Sequence, residues 1–192
     1  MDSQAAKLAL RHAIKERLVR LSPKDRSAES RSICRRIMEN LPAEPSTICA
    51  FFPMGDEADI KSLLIDIPAR GHVIYLPRKE GKHFVFRKMD AVDALKPDDF
   101  GIPAPAVDSP LLEPENVTIA LVPGRAFDRT GNRMGRGNGG YDIWIRNQRA
   151  ANPKTQFWGI CFECQLVSEV PMEAHDETVD AIVTARGLLT VK

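Results

Sequence analysis

Six short apolar runs rich in β-branched and aromatic residues punctuate the chain: 46–53 (STICAFFP), 72–77 (HVIYLP), 83–87 (HFVFR), 117–122 (VTIALV), 157–162 (FWGICF) and 179–184 (VDAIVT). Their length and content make them strands, because side chains branched at Cβ pack well on a pleated surface and lose freedom in a helix. Stretches of helical character separate several of them, around 59–70 and 141–152. Before the first strand, Leu10, Ile14, Leu18 and Leu21 recur at helical spacing, so 3–21 reads as an amphipathic helix. Ser22-Pro23 then supplies an N-cap and a first-turn proline to a second helix that ends near Leu41-Pro42. Strands alternating with helices leave few architectures. The expected fold class is α/β, a three-layer sandwich whose mostly parallel or mixed central sheet carries helices on both faces.

A chain of 192 residues supports one sizeable core, so residues 1–192 are expected to form a single domain. The Pro-rich segment 97–114 is short and contains Phe100 and Ile102, which should find partners; an ordered loop over the sheet is expected there rather than a domain boundary. No apolar run approaches the ~20 residues that cross a bilayer. The N-terminal residues interleave charges with apolar side chains and lack the uninterrupted apolar core of a signal peptide. Membrane association is therefore not expected, and a cytoplasmic location is. The formal net charge of +1 gives no reason to expect a nucleic-acid partner. Residues 1–40 are nevertheless basic, with ten Lys and Arg against five Asp and Glu, and this segment could face either an anion or the acidic middle of the chain.

Cys161 and Cys164 form a C-x-x-C that invites a redox or zinc reading. No second such pair completes a zinc site, and in a strand positions three apart point to opposite faces. Buried thiols are expected. The four histidines, at 12, 72, 83 and 175, are scattered and read as structural or solvated.

Residues 131–142, GNRMGRGNGGYD, hold five glycines and two arginines, and Gly135, Gly137 and Gly140 spell G-x-G-x-x-G. A dinucleotide fingerprint must begin where its strand ends. Here the strand ends near Val122 and the segment PGRAFDRTGNRM intervenes, so that reading fails. No Lys-Ser/Thr follows to make a P-loop. What remains is a glycine-rich turn leading into a helix near Tyr141, flanked by Arg133 and Arg136. Backbone N–H groups converging there, with the partial positive charge of the helix end, would cradle a phosphate; a mobile loop bearing arginines is the alternative. Lys7, Arg11 and Lys15 form a stripe on the first helix at i, i+4 spacing, a repulsive arrangement that a polyphosphate would neutralise and that a solvated face would also explain.

Taken in order, KLALR, MGDEAD, YLPR, FGIPAP, LVPGRAFDRTGNRMGRGNGGYD and GICFECQLVSEVPMEAHDETVDAIVT resemble the 5-formyltetrahydrofolate cyclo-ligase family almost from end to end. The resemblance implies an enzyme that uses ATP and Mg²⁺ to convert 5-formyltetrahydrofolate into 5,10-methenyltetrahydrofolate, releasing ADP and phosphate through a phosphorylated formyl intermediate. It implies that Lys7 and Arg11 bind ATP phosphates together with Arg133, Gly135, Arg136, Gly137, Asn138, Gly139, Gly140 and Tyr141, with Arg136 as the catalytic phosphate ligand. It implies that Phe52, Met54, Glu57 and Gly140 contact the reduced folate, and that Asp142 and Asp176 hold the metal. On the residues alone, Asp142 reads equally as a helix cap, Asp176 as a loop acid, Phe52 as core and Glu57 as a solvated turn residue. The family's Gly-Tyr-Tyr-Asp ending is Gly139-Gly140-Tyr141-Asp142 here, and Asn138, Ala104 and Ala185 also depart from its pattern, which bears on folate contacts more than on ATP contacts. Two other readings stay open: a noncatalytic nucleotide- or RNA-binding relative, and an ATP-dependent enzyme with a different acceptor.

Overall fold

The computed structural model describes residues 3–81 and 83–191, with backbone only at His83. In chain order its elements are α1 (Ser3–Arg20), α2 (Pro23–Asn40), β1 (Thr47–Cys49), α3 (Leu63–Ala69), β2 (Val73–Glu80), β3 (His83–Lys88), β4 (Lys96–Pro97), β5 (Pro103–Ala104), β6 (Val117–Pro123), β7 (Ala126–Asp128), β8 (Arg133–Met134), α4 (Gly140–Ala151), β9 (Gln156–Ile160), β10 (Leu166–Val167), β11 (Ala181–Thr184) and β12 (Gly187–Thr190). Ser22 caps α2, its hydroxyl accepting from the Asp25 amide at 3.1 Å, with Pro23 in the first turn where its missing N–H costs no hydrogen bond.

Seven strands form the central sheet in the order β12-β11-β9-β6-β1-β2-β3. The five inner strands are parallel, and β3 and β12 close the edges as antiparallel hairpin partners of β2 and β11. Alternation along these strands divides the core in two. Ile48, Ile74, Leu76, Ile119 and Leu121 pack with Ile14 and Leu18 of α1, Ile33 and Ile37 of α2, and Leu63, Leu64 and Ile67 of α3. Cys49, Ala120, Val122, Phe157 and Ile182 face the other way, toward Ile145 of α4. Helices thus cover both faces of a mainly parallel sheet, as the alternation of runs implied. Each fully buried Leu, Ile or Val side chain in these layers contributes about 1.5–3 kcal/mol.

Several expected spans differ, and the strand expected over 46–53 is confined to Thr47–Cys49. The helix expected over 59–70 is confined to Leu63–Ala69, and Gly71, at φ +87°, turns the chain from it into β2. The strand expected through Phe162 stops at Ile160: the Phe162 amide donates to Gln165 Oε1 at 3.0 Å and Glu163–Gln165 form a short 3-10 turn. The C-x-x-C therefore sits in that turn rather than in a strand. All four cysteines are free, three buried and Cys164 half-buried, and burial pushes every thiol pKa up, which keeps them protonated and unreactive. The strand expected from Val179 begins at Ala181 and continues through a turn into β12. The segment after Lys96 is an ordered loop, held by the β4–β5 pair and by a bridge from Leu111 to Arg87. Among the described residues no helix is long and apolar enough to cross a membrane.

Candidate active site

From β1 the chain proceeds through α3 to β2 on one side, while β6 lies against the other side of β1. The order of connection reverses between β1 and β6, and ligands of open α/β sheets bind outside the carboxyl ends of the strands at such a point. A cavity of about 870 Å³ opens there. Phe51, Phe52, Met54 and Glu57 follow β1, Pro123 and Gly124 end β6, and Pro77 and Lys79 come from the later half of β2. Every site residue expected from the sequence lines it: Lys7, Arg11, Phe52, Met54, Glu57, Arg133, Gly135, Arg136, Gly137, Asn138, Gly139, Gly140, Tyr141, Asp142 and Asp176.

The basic stripe of α1 divides. Lys7 is buried, and its ammonium donates to Glu173 Oε2 at 2.6 Å and to Asp176 Oδ2. Burial acts to lower the Lys7 pKa, but the two carboxylates outweigh it and raise it. Burial likewise acts to raise Asp176, and the Lys7 hydrogen bond overcomes this and holds it below the usual carboxylate range. Arg11 reaches the glycine turn, its Nε donating to the Gly135 carbonyl at 3.2 Å and its guanidinium lying 3.4 Å from where a Cβ at Gly137 would stand. Lys15 is exposed and takes no part.

Gly137 and Gly139 adopt φ of +99° and +68°, conformations that a side chain would strain. Gly139 is the N-cap of α4, and Asn138 Oδ1 accepts from the Gly140 amide at 3.3 Å. The first turn of α4, Gly140 to Asp142, thus opens on the cavity with its amide ends and the positive end of the helix dipole. Beneath it Arg133, almost wholly buried, donates to Asp142 Oδ1 at 2.7 Å and to the Pro123 carbonyl at 3.2 Å. These two residues, expected to face phosphate and metal respectively, also bind each other and brace the turn. Tyr141 packs against Phe84 with ring centroids 5.1 Å apart, and among the described residues its buried hydroxyl has no hydrogen-bond partner. Burial raises that phenol well above its ordinary pKa, so it remains a neutral donor.

Arg136 bridges the turn to the loop after β1. Its Nη2 donates to Asp56 Oδ1 at 2.5 Å and to Glu57 Oε1 at 2.9 Å. Asp56 also binds Arg125, and although burial acts to raise its pKa the two guanidiniums hold it down. Glu57 accepts from the Met54 amide at 2.8 Å, which fixes the loop carrying Phe52 and Met54.

Two groups of site residues escaped the sequence reading. Glu173 and His175 join Asp176 in a cluster whose ligand atoms lie within 4.8 Å of one another, and Asp142 stands outside that cluster. The spacing Glu-x-His-Asp was the available signal, in a loop with no periodicity to draw attention to it. The second group is the wall formed by Phe84, Phe100, Ile102 and Lys79. Trp144, by contrast, stacks on Phe86 at 4.2 Å and belongs to the core. For a hard cation the cluster offers carboxylate oxygens, the ligand type Mg²⁺ takes one or two of while phosphates and water fill its remaining positions. Lys7 engages Glu173 Oε2 and Asp176 Oδ2, leaving the other oxygen of each carboxylate for such an ion. The donor set fits magnesium.

A family model described as 5-formyltetrahydrofolate cyclo-ligase matches residues 3–185. The 5-formyltetrahydrofolate cyclo-ligase of Mus musculus is 27% identical over 194 residues, covering 93% of each chain. That of Mycolicibacterium smegmatis is 29% identical over 206 residues, covering 99% of this chain and all of its own. Among solved structures, the NMR structure of the Aquifex aeolicus 5,10-methenyltetrahydrofolate synthetase superposes with a TM-score of 0.83 at 26% identity, covering 97% of this chain and 93% of that one. A 5,10-methenyltetrahydrofolate synthetase from Mycoplasma pneumoniae shares the fold at 18% identity, with a TM-score of 0.75. The match runs through α1, the glycine-rich turn and the Glu173–Asp176 cluster alike, and the chain belongs to the 5-formyltetrahydrofolate cyclo-ligase family.

Proposed function

We propose that this protein is an enzyme that closes 5-formyltetrahydrofolate to 5,10-methenyltetrahydrofolate, consuming ATP and requiring Mg²⁺, with residues 1–192 acting as one cyclo-ligase domain. The observation that carries the reading is a single cavity holding three different kinds of wall: the cations of α1 with the glycine turn, the carboxylates of Glu173 and Asp176, and the aromatic surface of Phe52, Phe84 and Tyr141. A triphosphate needs the first, a divalent cation the second and a flat heterocycle the third.

The formyl oxygen on N5 is a poor leaving group, and ring closure must expel it. In the proposed sequence that oxygen attacks the γ-phosphorus, the bond from phosphorus to the ADP oxygen breaks, and an iminophosphate results. The N10 lone pair then attacks the formyl carbon, the carbon–oxygen bond to phosphate breaks, and N10 loses its proton. Little covalent work falls to the protein, so positioning and fixed charge supply most of the rate. Arg11, the amides at the start of α4 and Arg136 would bind the phosphate oxygens, with Arg136 exchanging its Asp56 and Glu57 partners for the developing charge. Lys7 orders the carboxylates of Asp176 and Glu173 and presents charge toward the triphosphate. Magnesium held by Asp176 and Glu173, with Asp142 nearby on the cavity wall, would neutralise phosphate charge. Glu57, Phe52, Met54 and Gly140 are assigned to the folate.

The test is direct. Purified protein with MgATP and 5-formyltetrahydrofolate should generate the methenyl chromophore, and should not when ATP or Mg²⁺ is omitted. Binding of MgATP with no chromophore and no phosphate release would point instead to a noncatalytic relative; phosphate release with another acceptor would point to a different substrate.

A further inference from the structure

The triphosphate site leaves the substrate's own negative charge without an assigned partner. 5-Formyltetrahydrofolate runs from a fused heterocycle through an aminobenzoyl ring to the two carboxylates of a glutamate, so a pocket that holds it in extended form should offer rings followed by a cation. One edge of the cavity has that order. Tyr141 packs on Phe84, Phe84 lies directly opposite Lys79 in the β2–β3 ladder, and cross-strand partners share a face of the sheet. The Lys79 ammonium stands 5.9 Å from the centre of the Phe100 ring, which is 69% exposed at the cavity mouth.

Lys79 makes no ion pair with any described carboxylate. Asp98, the carboxylate bonded to the Lys79 backbone, is already committed: its Oδ1 accepts from the amides of Phe100 at 2.9 Å and Ile102 at 3.1 Å, and its Oδ2 accepts from the Lys79 amide at 3.1 Å. Asp98 therefore fastens the loop that carries Phe100 to β2, and the Lys79 ammonium, over the Phe100 ring, pairs with no described carboxylate. Position in the sheet separates this cation from the phosphate end. Lys79 belongs to β2, whereas Glu173 and Asp176 lead into β11, with β9, β6 and β1 between those strands.

We infer that Lys79, seated beside Phe100, recognises a carboxylate at the glutamate end of the reduced folate and so determines specificity at the end of the cavity remote from phosphoryl transfer. This rests on the cyclo-ligase reading above. Phe100 supplies a ring face for the aminobenzoyl group, and Asp98 holds that ring in place. Lys79 touches no reacting atom, so its loss should weaken substrate capture and leave the chemical step alone.

The experiment compares wild type, Lys79→Met and Lys79→Arg on 5-formyltetrahydrofolate and on 5-formyltetrahydropteroate, which has the same rings and no glutamate. One charge-assisted hydrogen bond at a partly exposed mouth corresponds to about a tenfold change in KM. Wild type should show a KM about tenfold lower for the folate than for the pteroate. Lys79→Met should raise the folate KM about tenfold, shift the pteroate KM and the ATP KM less than about twofold, and Lys79→Arg should recover most of the loss. Equal KM values for the two compounds in wild type, or a Lys79→Met effect of the same size on both, would overturn the inference while leaving the cyclo-ligase reading standing. A wild-type chain that turns over neither compound would overturn both.

Discussion

Replacing Lys7 with Met removes one charge from between two carboxylates, and the structure sets the size of the penalty. The Lys7 side chain is 7% exposed, Asp176 11% and Glu173 29%, so water screens the triad poorly. At an effective dielectric of about 20, opposite charges ~4 Å apart attract by about 4 kcal/mol, and Lys7 faces two of them. Burying the ammonium cancels much of that gain, and deleting one partner of a buried pair costs about 3–5 kcal/mol, chiefly because the remaining charge is stranded. Here two carboxylates would be stranded side by side, one of them partly wet. We expect Lys7→Met to lose about 3 kcal/mol at pH 7 in metal-free buffer.

The loss should depend on pH in a defined direction. Asp176 has a folded pKa below its unfolded value, so its contribution is full above the unfolded value of about 4 and disappears as pH falls through the folded one. Lys7 has a folded pKa above its unfolded value, so its contribution is full below about 10.4 and disappears only as pH rises through the folded pKa. The gap between wild type and variant should therefore be widest from about pH 5 to 10 and narrow toward pH 3. Urea unfolding of both proteins with EDTA present, at pH 7 and near pH 3, measures it. A gap under about 0.5 kcal/mol at neutral pH, or one that does not shrink in acid, would refute the argument that the triad is a buried, mutually stabilised charge cluster.

Other consequences follow from single sites. Asp176→Asn should lower turnover at limiting Mg²⁺ and recover part of it at high Mg²⁺, because an amide is a weaker ligand for a hard cation; a metal titration of initial rate reports this. Gly159→Ala places a Cβ 2.3 Å from the ring of Phe127, a fully buried side chain that also blocks a Cβ at Gly124, and should cost about 1–3 kcal/mol in denaturant unfolding, with Phe127→Leu in the same chain recovering part of it. At Gly140 a Cβ would meet nothing closer than 3.8 Å, so Gly140→Tyr should fold normally and lower the folate KM by about fivefold through ring stacking while the ATP KM stays within about twofold.

The helices and inner strands were legible because each buries one face and declares it by period. Ile14 and Leu18 are wholly or nearly buried as their spacing requires, and Ile48, Ile74 and Ile119 meet in one layer. Lys7 shares the buried face of α1, which no hydropathy pattern could report, since its burial depends on carboxylates in a loop far along the chain. The small strands β7, β8 and β10 are two or three residues long and carry no period, and the turn after Cys161 is held by the Gln165 side chain, which accepts from the Phe162 amide and donates to the Gly124 and Arg125 carbonyls. The glycine-rich turn was legible as a turn leading into a helix near Tyr141, and Gly137 and Gly139 take the positive φ there with Gly139 as the N-cap of α4. That Arg133 braces this turn through Asp142 was not legible, because the partner of a buried arginine depends on which elements the fold brings together, here β8 and α4, rather than on hydropathy period.

The central claim is that ATP activates the formyl oxygen within this one cavity. It is tested most directly by following that oxygen: 5-formyltetrahydrofolate labelled with ¹⁸O in the formyl group, incubated with the protein and MgATP, and the released phosphate weighed by mass spectrometry. The account predicts one ¹⁸O in each phosphate released, in step with the rise of the methenyl chromophore. Chromophore accompanied by unlabelled phosphate, with the label in water, would contradict it.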